Sequence, residues 1–260
     1  VTWSFREWGI RLAACLGRAL DHGAGWASAH FVGRSNAAWL CKLALEKIES
    51  GEPKSADRFA RWAVAAAPDL AISHKTLGYV YFRTGQLARA RDTLEEAIRL
   101  SPSDGRVLQQ LADVYYSLGD YAHAEEVIRG ALRTPPRSAR DLMMLGLVLL
   151  KQRKLADALV AYTDAAAMQP GSPKILGAIG ETKARMEHYH EAVSALESAV
   201  ALDPELAGAH FYLAVSLANL GQLDRARKHA QHALELDPNN GEFREILRVL
   251  DSRLTDPEQK

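Results

Sequence analysis

Small and apolar residues return along this chain every 34 positions. One column reads Ala56, Ala90, Ala124, Ala158, Ala192 and Ala226. A second, seven residues on, reads Ala63, Ala97, Ala131, Ala165, Ala199 and Ala233. A third, five further, is Pro68, Pro102, Pro136, Pro170, Pro204 and Pro238. The three columns hold six times each between Ala37 and Asn240, with no insertion. A fixed period of this length means stacked supersecondary units. Each period reads as two helices, roughly positions 1–14 and 18–31, with no alternating strand pattern between them. Proline at position 32 has no amide hydrogen and closes the second helix. Glycine at position 15 suits a left-handed turn between the two helices, at Gly51, Gly85, Gly119 and Gly221. The fourth and fifth periods carry Arg153 and Glu187 there, which predicts a strained or differently shaped turn.

Two more columns identify the repeat. Position 7 is Leu43, Leu77, Leu111, Leu145, Ile179 and Leu213, and position 8 is Ala44, Gly78, Ala112, Gly146, Gly180 and Ala214. This pattern resembles the tetratricopeptide repeat (TPR) family across residues 37–240, as units 37–70, 71–104, 105–138, 139–172, 173–206 and 207–240. The resemblance implies an all-α, right-handed solenoid of six helix pairs. Small residues at positions 8, 20 and 27 let helix backbones approach, and larger ones at 4, 7, 11 and 24 fill the space between.

The resemblance also implies a binding surface, because first helices line the concave groove in this family through positions 2, 5, 9, 12 and 13. Carried over residue by residue, that surface contains Lys75, Tyr79, Phe82, Arg83, Arg106, Gln109, Asp113, Tyr116, Arg140, Met143, Leu147, Lys151, Lys174, Glu181, Arg185 and Phe211. Basic residues outnumber acidic ones on it, and apolar side chains stand among them. An acidic, partly apolar peptide or helix fits such a groove. Position 9 has no asparagine in any repeat, which argues against the terminal-carboxylate clamp of chaperone-binding members.

Two flanks fall outside the repeats. Residues 1–36 form an aromatic-rich segment in which Phe5, Trp8, Leu12, Cys15, Leu16 and Ala19 lie at helical spacing, followed by Gly23 and Gly25. The face Trp3, Phe5, Trp8, Leu12 and Leu16 is expected either to cover repeat one of its own chain or to join copies of the chain in a homo-oligomer. Val1-Thr2, Gly9-Ile10, Leu12-Ala13 and Leu16-Gly17 also resemble the segment before the repeats in magnetosome-associated TPR proteins, which coat a membrane by self-assembly. At the other end, residues 241–254 carry Phe243, Ile246, Leu247, Leu250 and Leu254 on one face and charges on the other. That is the pattern of a capping helix, followed by a polar tail at 255–260.

Composition changes the picture only by exclusion. Lys plus Arg and Asp plus Glu are 32 each, so the net charge is zero and general nucleic-acid binding is not expected. The two cysteines, Cys15 and Cys41, suggest neither disulfides nor a metal motif, so a reducing, cytoplasmic setting is expected. Leu12-Ala13-Ala14-Cys15 has the look of a lipoprotein cleavage box, but Arg6, Glu7 and Arg11 interrupt the apolar run such a signal needs. No phosphate loop or nucleophile motif occurs, and no metal or other cofactor is expected. His229 and His232 read as solvated helix residues; His74 and His210, at position 4, read as packing residues. The expected function is a non-catalytic scaffold or adaptor for other proteins. Alternatives are a membrane-associated assembly factor and, since the chain begins with valine, a docking module from a larger enzyme.

Overall fold

Leucine, alanine, arginine and glutamate fill both halves of each period, and these are strong helix formers. In the computed structural model, residues 34–133, 135 and 137–255 are described, and all regular structure among them is helical. The helical spacing from Phe5 to Ala19 and the apolar face Trp3, Phe5, Trp8, Leu12 and Leu16 lie outside the described residues. The chain divides into two units, residues 1–134 and 135–260.

The first unit contains α1 (Arg34–Glu49), α2 (Pro53–Ala66), α3 (Ala71–Arg83), α4 (Leu87–Leu100), α5 (Gly105–Leu118) and α6 (Tyr121–Arg133). They pack as the antiparallel pairs α1/α2, α3/α4 and α5/α6, and each pair lies on the next. The second unit contains α7 (Ala139–Lys151), α8 (Leu155–Met168), α9 (Pro173–Arg185), α10 (Tyr189–Leu202), α11 (Ala207–Asn219), α12 (Leu223–Leu236) and α13 (Gly241–Thr255). Its pairs α7/α8, α9/α10 and α11/α12 stack in the same way, and α13 packs on α12 and α11. Helix boundaries follow the repeat within a residue, except that α1 starts at Arg34, three residues ahead of the repeat frame, and α6 ends at Arg133, two residues short of it.

The alanine columns explain the close pairing. All six position-20 alanines are fully buried, as are five of the six at position 27, with Ala131 6% exposed. Position 8 varies with position 24, and the structure shows why. Gly78 faces Leu94: a Cβ added to the glycine would stand 2.6 Å from Leu94 Cγ. Gly146 faces Tyr162 at 2.5 Å and Gly180 faces Leu196 as closely. Where position 8 is alanine, position 24 is Ala60, Ile128 or Ala230. Glycine stands wherever the facing side chain is Leu or Tyr, because a Cβ there would collide with it.

All six turns between paired helices close alike. In repeat three the Gly119 amide donates to Tyr116 O at 3.0 Å and the Asp120 amide to Tyr115 O at 2.9 Å. In repeat four Arg153 and Lys154 make the same two bonds, to Leu150 O and Leu149 O at 3.0 and 2.9 Å. In repeat five Glu187 and His188 do so at 3.0 and 2.9 Å, to Ala184 O and Lys183 O. The cost falls on backbone torsion: Arg153 and Glu187 have φ of 61° and 63°, in the left-handed region that glycine occupies elsewhere. These turns therefore keep the common shape and are strained, the first of the two outcomes the sequence allowed.

Several helix starts are capped. Asp104 Oδ1 accepts from the amides of Arg106 and Val107 at 3.0 and 3.3 Å, and Ser138 Oγ from that of Arg140 at 3.1 Å. Asn240 Oδ1 accepts from Glu242 and Phe243, which opens α13. On α13, Phe243 and Leu250 are buried and Arg244, Glu245 and Arg248 are exposed, as a cap requires. Among the described residues no helix is long and apolar enough to cross a membrane.

Candidate functional site

The first helix of each repeat presents the five predicted columns at three depths. Column 2 (Ala38, Ile72, Arg106, Arg140, Lys174, Gly208) is exposed in every repeat, and so is column 13 (Glu49, Arg83, Ser117, Lys151, Arg185, Asn219). Columns 5 and 9 are mostly half-buried, at Lys75, Gln109, Met143, Gly177 and Phe211, and at Tyr79, Asp113, Leu147, Glu181 and Val215. Column 12 sinks into the core at Ile48, Leu150, Ala184 and Ala218, and stays half-buried at Phe82 and Tyr116. The repeated helix thus offers two exposed columns, rich in cations from repeat two to repeat five, and a half-buried middle in which aromatic and aliphatic side chains stand beside Lys75, Gln109, Asp113 and Glu181.

In the first unit, α3 gathers Tyr79, Phe82 and Arg83. The Arg83 guanidinium donates to Tyr79 Oη at 2.7 Å and lies 5.7 Å from its ring centroid. Lys75 is engaged elsewhere: its Nζ sits 3.3 Å from Asp104 Oδ2, the carboxylate that also caps α5. This pair ties repeat two to repeat three and removes Lys75 from the free cations. Sequence reasoning missed Asp104; its signal was an acidic residue directly ahead of a first helix. On α5, Arg106 is exposed, Gln109 and Asp113 are half-buried, and the Tyr116 ring lies 5.6 Å from that of Tyr121. Ile72 and Leu45, 39% and 36% exposed, add apolar surface to the open columns.

In the second unit, α7 places Met143 and Leu147 between exposed Arg140 and Lys151, and α9 places Glu181 between Lys174 and Arg185. Arg185 Nε donates to Glu181 Oε1 at 3.0 Å, and its Nη2 reaches Tyr212 Oη on α11 at 2.5 Å. Burial, then the nearby Glu181 carboxylate, push the Tyr212 hydroxyl up to about 12, so it stays protonated at neutral pH. Tyr212 was not among the predicted groove residues, because its position 6 is not one of the five columns. Phe211 is covered in part by Phe243 of α13, the rings stacking at 5.0 Å. Among the described residues, Arg106, Lys151 and Lys174 have no ion-pair partner.

The histidines depart from expectation at one place. His229 is half-buried rather than solvated, with its Nδ1 3.0 Å from Nδ1 of buried His210, and the His232 ring lies 4.5 Å from that of His210. His74 and His210 do pack, each with Nε2 against the carbonyl of the preceding repeat's proline, Pro68 at 2.8 Å and Pro204 at 3.1 Å. Among the described residues no three His, Cys, Asp or Glu side chains are arranged to hold a metal ion.

Stacked helix pairs with small-residue contacts and first helices open at both ends define a helical-repeat protein. Tetratricopeptide repeat models match residues 71–114, 110–173 and 178–241, and the chain belongs to the tetratricopeptide repeat family. Its fold class is the all-α TPR solenoid. The family is one of protein–protein interaction scaffolds, generally without catalysis. No curated protein matches the chain in sequence. Among solved structures, pilF of Pseudomonas aeruginosa is similar at 19% identity and a TM-score of 0.72, covering 83% of this chain and 99% of its own. YrrB, described as a TPR protein with an unusual peptide-binding site, is similar at 21% identity and 0.59, covering 73% and 97%. MamA is similar at 19% and 0.58, covering 65% and 92%. At these identities the likeness is one of fold.

Proposed function

We propose that the protein is a non-catalytic scaffold whose first helices bind an acidic, partly apolar segment of another protein. The observation that carries this reading is the make-up of the two open columns. Among their twelve residues, Arg83, Arg106, Arg140, Lys151, Lys174 and Arg185 are cations and Glu49 alone is an anion, in a chain of zero net charge. Between them stand half-buried Tyr79, Phe82 and Tyr116 in the first unit and Met143, Leu147 and Phe211 in the second. Charged rims steer and orient a ligand of opposite sign, and the half-buried aromatic and aliphatic side chains between them supply most of the affinity.

Fluorescence anisotropy with a labelled peptide alternating Asp or Glu with Leu or Phe tests the reading. Binding is expected at 0.15 M salt and should weaken markedly toward 1 M, where the Debye length shrinks from about 8 Å to about 3 Å. The same peptide with Asn and Gln in place of the acids should bind weakly at both. Equal affinity for the two peptides would contradict the acidic-ligand reading.

A further inference from the structure

Repeats two and six both carry histidine at position 4, and both rings donate Nε2–H to the carbonyl of the preceding proline. The groups facing them from the second helix differ. In repeat two the facing group on α4 is Glu96, whose carboxylate is held below the ordinary range first by its hydrogen bonds from Arg99 and last by nearby His74. In repeat six the facing groups on α12 are His229 and His232. The two repeats thus set the same histidine against different partners, an Arg99–Glu96 ion pair in one and two further imidazoles in the other.

We propose that the sixth repeat and its terminal helix form an acid-sensitive end, held closed by the His210–His229 pair and loosened when that pair takes up protons. With Nε2–H committed to Pro204, a neutral His210 has a bare Nδ1, which accepts from His229 Nδ1–H across 3.0 Å. One added proton can enter at His229 Nε2 and leave this bond intact, but it puts a charge in a half-buried place. A second proton puts N–H against N–H, ends the bond and sets two cations face to face. Burial also disfavours the charged form of both rings, holding them below the ordinary histidine range.

The neighbouring charges do not relieve this. Glu205, ahead of α11, favours charge on His210, and His232 opposes it. Toward His229, Glu197 of α10 is favourable, but its carboxylate is bound to Arg225 of α12, which opposes charge there. On α9, Arg185 is engaged with Glu181 and Tyr212, and Lys183 with Glu191. On α13, Asp251 is engaged with Arg227.

The sign follows from linkage. The unfolded end binds protons at the ordinary histidine value of about 6.5, and the folded end binds them only at lower pH. Stability of the end is therefore complete above about pH 6.5 and falls as pH drops below it. Each histidine so affected weakens the closed state by up to about tenfold per pH unit. In a stacked array each unit contacts only its neighbours, so α11–α13 can open while the other repeats stay folded. Since α13 rests Phe243 on Phe211 of α11, opening the α11/α12 pair unseats the cap as well.

Backbone hydrogen exchange of the full chain, read by mass spectrometry at pH 7.5 and 5.5 and corrected for intrinsic rates, tests this. Opening of α11–α13 is expected to rise about tenfold or more at pH 5.5, with α3 and α4 unchanged. His229→Gln keeps an N–H donor toward His210 but cannot charge, so it should remove at least half of the rise on a logarithmic scale; His74→Gln should leave it in place. No rise in α11–α13, an equal rise in α3 and α4, or a full rise in His229→Gln would overturn the proposal. The wild-type comparison of the two repeats decides it even if a variant folds poorly.

Discussion

Changing Gly78 to alanine should destabilise the natural protein and stabilise the Leu94→Ala variant. In the natural chain the new Cβ stands 2.6 and 2.8 Å from Leu94 Cγ and Cδ2. Carbon atoms in contact sit about 3.5–4.0 Å apart, so Leu94 must move by roughly 1 Å. Leu94 is fully buried, and overpacking of this kind costs about 1–3 kcal/mol. Alanine returns about 1 kcal/mol of helix propensity over glycine, leaving a net loss of about 0–2 kcal/mol. Leu94→Ala alone leaves a cavity and costs about 2–5 kcal/mol. In that background the clash is gone, so Gly78→Ala gains its ~1 kcal/mol of propensity and fills part of the space. The Ala/Ala pairing already stands at Ala44/Ala60 and Ala214/Ala230. The expected coupling is about 1–3 kcal/mol, with a change of sign. Urea unfolding of the four chains followed by circular dichroism measures it, and exchange of α3 and α4 amides reports locally where the repeats do not melt together. An effect of Gly78→Ala that is equal in both backgrounds would refute the size-pairing argument.

Two further perturbations test local features. Arg153→Gly and Glu187→Gly relieve left-handed strain at exposed side chains, and each should stabilise its repeat by about 1 kcal/mol; unchanged or lowered melting would contradict the strain. Asp104→Ala removes both the α5 cap and the Lys75 partner and should cost about 1–2 kcal/mol, whereas Asp104→Asn, which keeps capping ability, should cost at most about 1 kcal/mol in the same melt.

The repeat was fully legible because its columns are contact positions. A small residue at position 20 or 27 reports a backbone approach that no larger side chain allows, and six copies make it unmistakable. The left-handed turns at Arg153 and Glu187 were legible as exceptions, although their unchanged shape was not: the turn bonds are made by backbone atoms, which the sequence does not display. The groove columns carried over as positions, but their depths came only with packing. Leu150 and Ala184 occupy the same column as Phe82 and Tyr116, yet sink where the larger rings stay half-buried. Contacts between helices were the least legible. Lys75 with Asp104 and Arg185 with Tyr212 join neighbouring repeats across 29 and 27 positions, and His210 with His229 joins the two helices of one repeat; no single column predicts any of the three.

The central claim is that partners meet the open columns of the first helices. Charge reversal measures this most directly: Arg106→Glu in the first unit and Lys174→Glu in the second, set against Arg89→Glu and Arg129→Glu on second helices, with the acidic peptide as probe. All four change net charge equally, so a general field effect moves all four alike. The account predicts affinity lost by about tenfold when both first-helix cations are reversed, and close to natural affinity for the second-helix pair. Equal loss in both pairs, or loss only in the second, would contradict it.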